Sequence, residues 1–427
     1  MKTEAKPLAH GALQLLREGP FRRYIMGSAI SDTGTWMQVM AQGWVMSTLT
    51  DKALHLGMVN LAAGLPMLAL TMVGGSAADK YDKRKILLAT QYVQIALAVL
   101  IGFLLLKGQI AIWHVFAVAV VLGISNSFEM PALSALVPEL VRKDQIAGAI
   151  AMDRAVFHGS RLAGPAVGGV MISVWGAASA FFFNAISFVA LIIALVSLPP
   201  RRKGSTEEEE KRKSGIKEGF RFIAQDKASL AMVSLIATTT VFVFPVISVM
   251  MPLYVRNVLG LGPDRLGFLM AASGIGSVVG AIGLLSVPRA NRATILMCGV
   301  AAVAVCIFGL SRAPSFGLAA LVCAINSIGL SMNFGLANTI VQERAPDYLR
   351  GRVSAVFGLS FFGLMPLAGL VLTSASDLLG MPKAMMFGAL IYGALGLTLL
   401  SRIRRQCGAR AETIPAEPPI PAPVIAR

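Results

Sequence analysis

Stretches of about twenty apolar residues recur along almost the whole chain, and few folds can accommodate them. A hydrocarbon core of about 30 Å is crossed by about 20 residues of α-helix, because only a helix or a closed barrel satisfies every backbone N–H and C=O without water. The runs are read at Tyr24 to Leu49, His55 to Ala77, Ile86 to Leu106, Ile110 to Leu133, Ile146 to Ser173 and Ala177 to Leu198. Six more follow at Leu230 to Leu253, Leu266 to Val287, Thr294 to Leu310, Ser315 to Val341, Val353 to Ser376 and Met381 to Leu400. The expectation is an all-α membrane protein of twelve transmembrane helices in two pseudo-symmetric bundles of six. Only 14% of the residues are charged and 56% are hydrophobic, against about 25% charged in a soluble domain, so water is not the main solvent of this surface.

The formal charge of +16 raises the question of a nucleic-acid partner, and the placement of Lys and Arg answers it. Thirty of the 38 lie in the termini and the loops on the same side as the termini, and six (Lys52, Lys107, Arg256, Arg265, Arg312, Lys383) in the opposite loops. Arg154 and Arg161 fall inside a span. Such asymmetry is the positive-inside pattern and places both termini in the cytoplasm. It accounts for the basicity with the bilayer as partner and no nucleic acid. No short apolar region closing on a small-residue cleavage site follows the N-terminal charges, so the first span is expected to be retained. Cys298, Cys306, Cys323 and Cys407 have no metal-type spacing and read as small packing residues.

The expected domains are a first bundle at 1–198, a cytoplasmic linker at 199–228, a second bundle at 229–402 and a Pro-rich disordered tail at 403–427. The linker holds Arg201-Arg202-Lys203, the Glu207 to Glu210 run and Lys211-Arg212-Lys213, a density of charge that cannot enter lipid. Ile216, Phe220 and Ile223 at helical spacing suggest a short helix on the membrane surface. An internal echo links the halves. Gly123-Ile124-Ser125 with Phe128 reappears as Gly329-Leu330-Ser331 with Phe334, setting span 4 opposite span 10.

The loop after span 2 reads Gly75-Ser-Ala-Ala-Asp79-Lys80-Tyr81-Asp82-Lys83-Arg84-Lys85 and resembles the G-x-x-x-D-R-x-G-R-R-K turn of the major facilitator superfamily, with Asp82 where that pattern has Gly. Further stretches resemble its enterobactin-exporter and macrolide-efflux branch, a drug:proton antiporter group: Gly34-Thr35-Trp36-Met37-Gln38, Val137-Pro138-Glu139-Leu140, Phe183-Asn184-Ala185-Ile186-Ser187-Phe188 and Arg350-Gly351-Arg352-Val353. Arg161-Leu-Ala-Gly164-Pro165-Ala-Val-Gly168-Gly169 is similar to the antiporter signature of exporters, with Ser160 in a place where that signature commonly has Gly. The resemblance implies a conformational latch at Gly75, Asp79, Lys80, Lys83 and Arg84, with Glu129 or Glu139 as its acidic partner.

Span 1 carries Ser28, Ser31, Asp32, Thr35, Gln38 and Gln42 within an arc of roughly 120° at 100° per residue, a face suited to an aqueous cavity or a neighbouring helix. Asp32 lies about 16 Å along the axis from Phe21, near mid-membrane, where a carboxylate costs several kcal/mol unless paired or protonated. A proton-coupling group needs that property; a structural Asp satisfied by an Arg or a backbone donor is the alternative. Asp153 and Glu129 are the other coupling candidates. In span 5, Arg154, His158, Arg161 and Pro165 share a stripe about 60° wide, and two cations there need anionic or carbonyl partners. Trp36, Gln38, Gln42, Asn126, Arg161 and Phe357 are candidate cavity contacts.

No nucleotide-cradling G-x-x-x-x-G-K-[ST], metal-spaced His/Cys cluster or nucleophile elbow is present in the sequence, so no enzyme, metal or cofactor is expected. The reading is a monomeric inner-membrane exporter of a hydrophobic or amphipathic organic compound (siderophore or drug-like), driven by protons through alternating access. A lysophospholipid flippase or an importer of the same fold is the alternative, and a non-transporting scaffold or sensor a remote one.

Overall fold

The structure, a computed structural model, describes residues 15–198 and 216–411, with the side chains of Ile216 and of 402–411 outside that description. The charged run of the linker, His10 and the Pro-rich tail lie outside the described residues. Fourteen principal helices follow one another, in the order α1 Gly19–Leu49, α2 Ala53–Lys80, α3 Lys83–Leu106, α4 Ile112–Leu136, α5 Ile146–Trp175 and α6 Ala177–Val196. After the linker come α7 Ile216–Gln225, α8 Lys227–Phe242, α9 Pro263–Leu284, α10 Arg292–Leu310, α11 Phe316–Arg344, α12 Arg350–Gly358, α13 Met365–Leu379 and α14 Met381–Ala411. No β-strand occurs among the described residues.

Ten segments are long and apolar enough to cross a membrane. Helices α1 and α5, at 31 and 30 residues, are long enough but too polar to join them. They hold Asp32, Asp153, Arg154 and Arg161, the ionisable groups that sequence analysis singled out in spans 1 and 5.

Two spans expected to be continuous are broken. The stretch after α8 is interrupted at Val243 and again near Met250, with Pro245 and Pro252 at the starts of the short helical pieces that follow, and it ends in a π-helical turn, Tyr254–Val258. A proline lacks the N–H and crowds the preceding turn, so each restart costs the helix a bond. Pro366 does the same after the π-helical turn Leu359–Gly363 between α12 and α13. Pro66, Pro131 and Pro165 lie inside α2, α4 and α5 without interrupting them.

Helices α1–α6 pack chiefly on one another, as do α8–α14, and the two groups meet along α5–α9 and α2–α13. Within the first group, Leu15, Phe21, Tyr24, Leu87, Leu136, Leu195 and Leu198 form a core at the end from which the linker departs. Met46, Ala53, Leu56 and Val115 join Val249 and Leu253 of the second group in a core at the far end.

Contacts between the groups gather toward that far end. Asp377 on α13 accepts from the backbone N–H of Ala53 at 2.7 Å and of Leu54 at 2.9 Å, so a side chain of one group caps the first turn of a helix in the other. Arg256 donates to the Ser47 carbonyl at 2.5 Å and to Asp51 at 2.9 Å. The α5–α9 seam is closed by small residues. A Cβ added at Gly169 would stand 2.7 Å from the Pro263 carbonyl oxygen, and Gly267 lies under the Pro165 carbonyl. Toward the linker end, α2 turns Met72 (87% accessible) outward and the α12–α13 turn exposes Phe362 (62%).

The short linker helix α7 forms as its spacing suggests, and it docks on protein. Ile223 is buried, Glu218 pairs with Arg352 of α12, and Gly219 abuts the Arg352 backbone. Asp226 then caps α8 by accepting from Ser229 N at 2.9 Å and takes two bonds from Arg344, at 2.6 and 2.7 Å. The Arg344 guanidinium pulls its carboxyl down to about 2.

Candidate functional site

The charged turn between α2 and α3 divides its work. Lys83 is buried and donates to Glu139 at 2.6 Å, while Arg84 donates to the carbonyls of Leu198 at 2.6 Å and Val196 at 3.0 Å, closing the C-terminus of α6. Cations on the orphan carbonyls of a helix end also complement its dipole. Asp82 accepts from Arg84 N at 2.9 Å and has φ −65°, so this turn asks for no left-handed residue and a helix cap stands where the family pattern has Gly. Gly75 faces open space, and Asp79 and Lys80 are exposed, with no hydrogen bond or ion pair among the described residues. Glu129 takes no part in this turn. Gln91 donates to it at 2.8 Å and Gln94 donates to it as well, both from α3.

Along α1 the polar face turns mainly toward a neighbouring helix. Gln38 is buried and accepts from Asn184 of α6 at 2.7 Å, and Gly34 lies against Ser187 and Asn184. Gln38, expected among the cavity contacts, is thereby turned into the first group, because α1 and α6 approach through Gly27 and Gly34 and leave a buried amide that needs a partner. Gln42 borders a small apolar void with Val45, Ile101, Val115, Val118 and Phe181, also inside the first group. Phe357 is buried against Phe334. Asn126 on α4 is half-buried, with no hydrogen bond among the described residues.

Three carboxylates sit at membrane depth, each with neutral donors. Ser28 donates to Asp32 at 3.0 Å from one turn earlier, and Tyr24 donates to Asp153 across helices at 3.0 Å. No Arg or Lys forms an ion pair with any of the three among the described residues.

The antiporter-like stretch of α5 is a two-sided joint. Gly164 lies under Thr33 and Trp36 of α1, Gly168 under Met37, and Gly169 under Pro263 and Gly267 of α9. Ser160 is buried, and its hydroxyl accepts from Thr33 at 3.1 Å and donates to the Ala29 carbonyl at 3.3 Å; the departure from Gly supplies a polar tie to α1. Arg161, next in the chain, lays its guanidinium 5.1 Å from the centre of the Trp36 ring, which Phe157 meets edge-on.

Sequence reasoning missed Asp377, Arg256, Gln91 and Gln94. The glutamines left a usable signal, two amides three residues apart in an otherwise apolar span. Asp377 contacts residues more than 300 positions away, and its own neighbourhood carries no hint of them.

Residues 10–427 match the transmembrane secretion effector family of major facilitator proteins. The multidrug efflux pump Tap of Mycolicibacterium fortuitum is 26% identical over 404 residues, covering 91% of this chain and 97% of its own. Macrolide efflux protein A of Streptococcus pyogenes is 24% identical over 357 residues, 82% of this chain and 87% of its own. In fold, the chain is similar to a bacterial homologue of the human lysosomal transporter Spinster, solved inward-facing and occupied, at a TM-score of 0.69 with 12% identity, over 90% of this chain and 97% of that one. A match over nearly its whole length makes this multi-pass membrane chain a member of the transmembrane secretion effector family, a transporter and not an enzyme.

Proposed function

We propose that this protein exports an amphipathic organic compound from the cytoplasm in exchange for protons, by alternating access of two six-helix bundles. Helices α1 and α5 complete the twelve spans. Their charges are tolerable at membrane depth because they face helices and the space between the bundles rather than lipid. The excess of Lys and Arg in the loops at the linker end supports a cytoplasmic position for that end and for both termini, in the inner membrane. The closed far end is then external, and the conformer is open to the cytoplasm.

The observation that carries the reading is Asp32, a carboxylate near mid-membrane whose hydrogen bond comes from a neutral hydroxyl. A proton carrier must be able to lose its charge without leaving a cation stranded, and Asp32 meets that condition. The efflux relatives support the outward direction. The monomer is a sufficient unit, because both bundles and the path between them belong to one chain.

The test is reconstitution of purified protein in proteoliposomes with an imposed pH gradient, read as substrate counterflow over a panel of drug-like and siderophore-like compounds with internal pH followed in parallel. Export predicts proton movement opposite to substrate. Substrate flux that leaves internal pH unchanged would refute the coupling.

A further inference from the structure

The proposed export path is charged on one wall only. On α5, the side facing lipid is marked by Val167, Val170 and Val174, exposed at 48, 43 and 64%. At 100° per residue, Arg154, His158 and Arg161 lie roughly opposite, between the face that packs on α1 (Ser160, Gly164, Gly168) and the face that packs on α9 (Leu162, Pro165, Gly169). All three side chains are exposed there. None forms an ion pair or hydrogen bond among the described residues; the recorded contacts are Trp36 under Arg161 and Phe157 beside His158. Seven residues separate Arg154 from Arg161, a rise of about 10 Å. Arg154 stands nearer the linker end and Arg161 near mid-membrane, just short of the Gly164–Gly169 joint.

The nearby acids do not neutralise this ladder. Asp153 is engaged by Tyr24, Asp32 by Ser28 and Glu129 by two glutamines. Across the path, every Asp, Glu, Lys and Arg of the second group lies at or beside a helix end or in the last ten residues of α14. What that group offers at depth is aromatic. Phe334 packs edge-on against Phe357 at 5.3 Å and against Phe361 at 5.3 Å, and Phe361 meets Phe244 at 4.9 Å.

Two guanidinium groups exposed to the path without a counter-charge leave their forks free for a ligand that supplies one. Arginine forks match carboxylate, sulfonate and phosphate oxygens, and an indole face beneath one orients it. We infer that the exported compound is an amphipathic organic anion, its acid group handed from Arg154 to Arg161 and its apolar or aromatic body laid against the Phe334–Phe361 cluster. This assignment rests on the export reading above and narrows it to a substrate class.

Three naphthalene probes of one ring system make the test: naphthalene-2-sulfonate, the matching uncharged sulfonamide and the matching naphthalen-2-yl-trimethylammonium cation. Binding to purified protein in non-ionic detergent is followed by equilibrium dialysis, and transport by pH-driven flux in proteoliposomes. The sulfonate is expected to bind saturably and at least about tenfold more tightly than the other two. Arg161→Gln should weaken the sulfonate by about tenfold or more and leave the cation unchanged, and Arg161→Lys should keep part of the affinity. Thermal unfolding midpoints of the variants separate lost binding from lost fold. Preference for the cation, equal binding of all three, no saturable binding of any, or a well-folded Arg161→Gln that binds the sulfonate as the parent does would each overturn the anion assignment. Arg161-dependent sulfonate binding without pH-driven flux would instead remove proton-driven export and leave the anion site standing.

Discussion

The two halves of the molecule solve different problems with related helices. In the first, proline lies inside unbroken helices, and the ionisable side chains at membrane depth all lie on α1, α4 and α5. In the second, the helices around Pro245, Pro252 and Pro366 are interrupted, and every Asp, Glu, Lys and Arg lies at or beside a helix end or in the last ten residues of α14. Charge needs fixed neighbours, because a carboxylate that loses its donors in lipid has no water to fall back on. An apolar wall has no such constraint and can bend. The difference separates a half that carries ionisable side chains at membrane depth from a half that supplies apolar surface and backbone give.

The largest effect that would sharpen this contrast is at Asp32. Asp32→Asn keeps shape and hydrogen bonding but removes the proton cycle. It is expected to lower pH-driven efflux by about 100-fold while downhill exchange stays within about threefold of the parent, in line with the size of general proton-transfer effects. Parallel loss of both activities, with a lowered unfolding midpoint, would make Asp32 structural and move the coupling role to Asp153 or Glu129.

On the other side of the contrast, Phe361→Ala should weaken apparent substrate affinity about tenfold, or about 1.4 kcal/mol, without altering the number of protons moved per substrate. A changed stoichiometry would show that the halves are not separate in this way.

A smaller effect is expected where the halves touch. Asp377→Asn removes the charge from a cap on the first turn of α2 and should cost the closed far end about 1 kcal/mol, a shift of about fivefold in population. Alkylation of Leu56→Cys, buried at that end in the parent, reads it directly, and unchanged labelling would dismiss Asp377 as a gate.

The smallest effect concerns Asp226, whose carboxyl is pulled down to about 2. Its stabilising contact with Arg344 is complete above the ordinary Asp value of about 3.9 and is lost as pH falls through about 2. Acid unfolding of the parent should therefore show a contribution between those values that Asp226→Asn lacks, and identical acid profiles would show the contact to be neutral.

Much of this architecture is legible in the amino-acid order because lipid permits so few solutions. Runs of twenty apolar residues mark the helices, and Arg84 and Asp82 announce a turn. Ser28 and Asp32, four residues apart, are neighbours in any helix. Contacts between distant helices are not legible in the same way. Gln38 looks like a cavity residue until α6 is placed beside it, and the bond of Tyr24 to Asp153 spans 129 residues. The interruptions in the second half were also hidden. Pro66 and Pro245 look alike in a one-dimensional pattern, and the surrounding packing decides which is absorbed and which breaks its helix.

The joint where the Gly169 and Gly267 backbones meet bears on leakage as well as on shape. Under the proton exchange proposed above, protons must not cross except in company with substrate. Carbonyls and Cα atoms in contact leave no room for a file of water along the α5–α9 seam. Methyl groups at these two positions would hold the bundles apart like a shim, and under the proposed exchange the resulting slip would let protons pass without cargo.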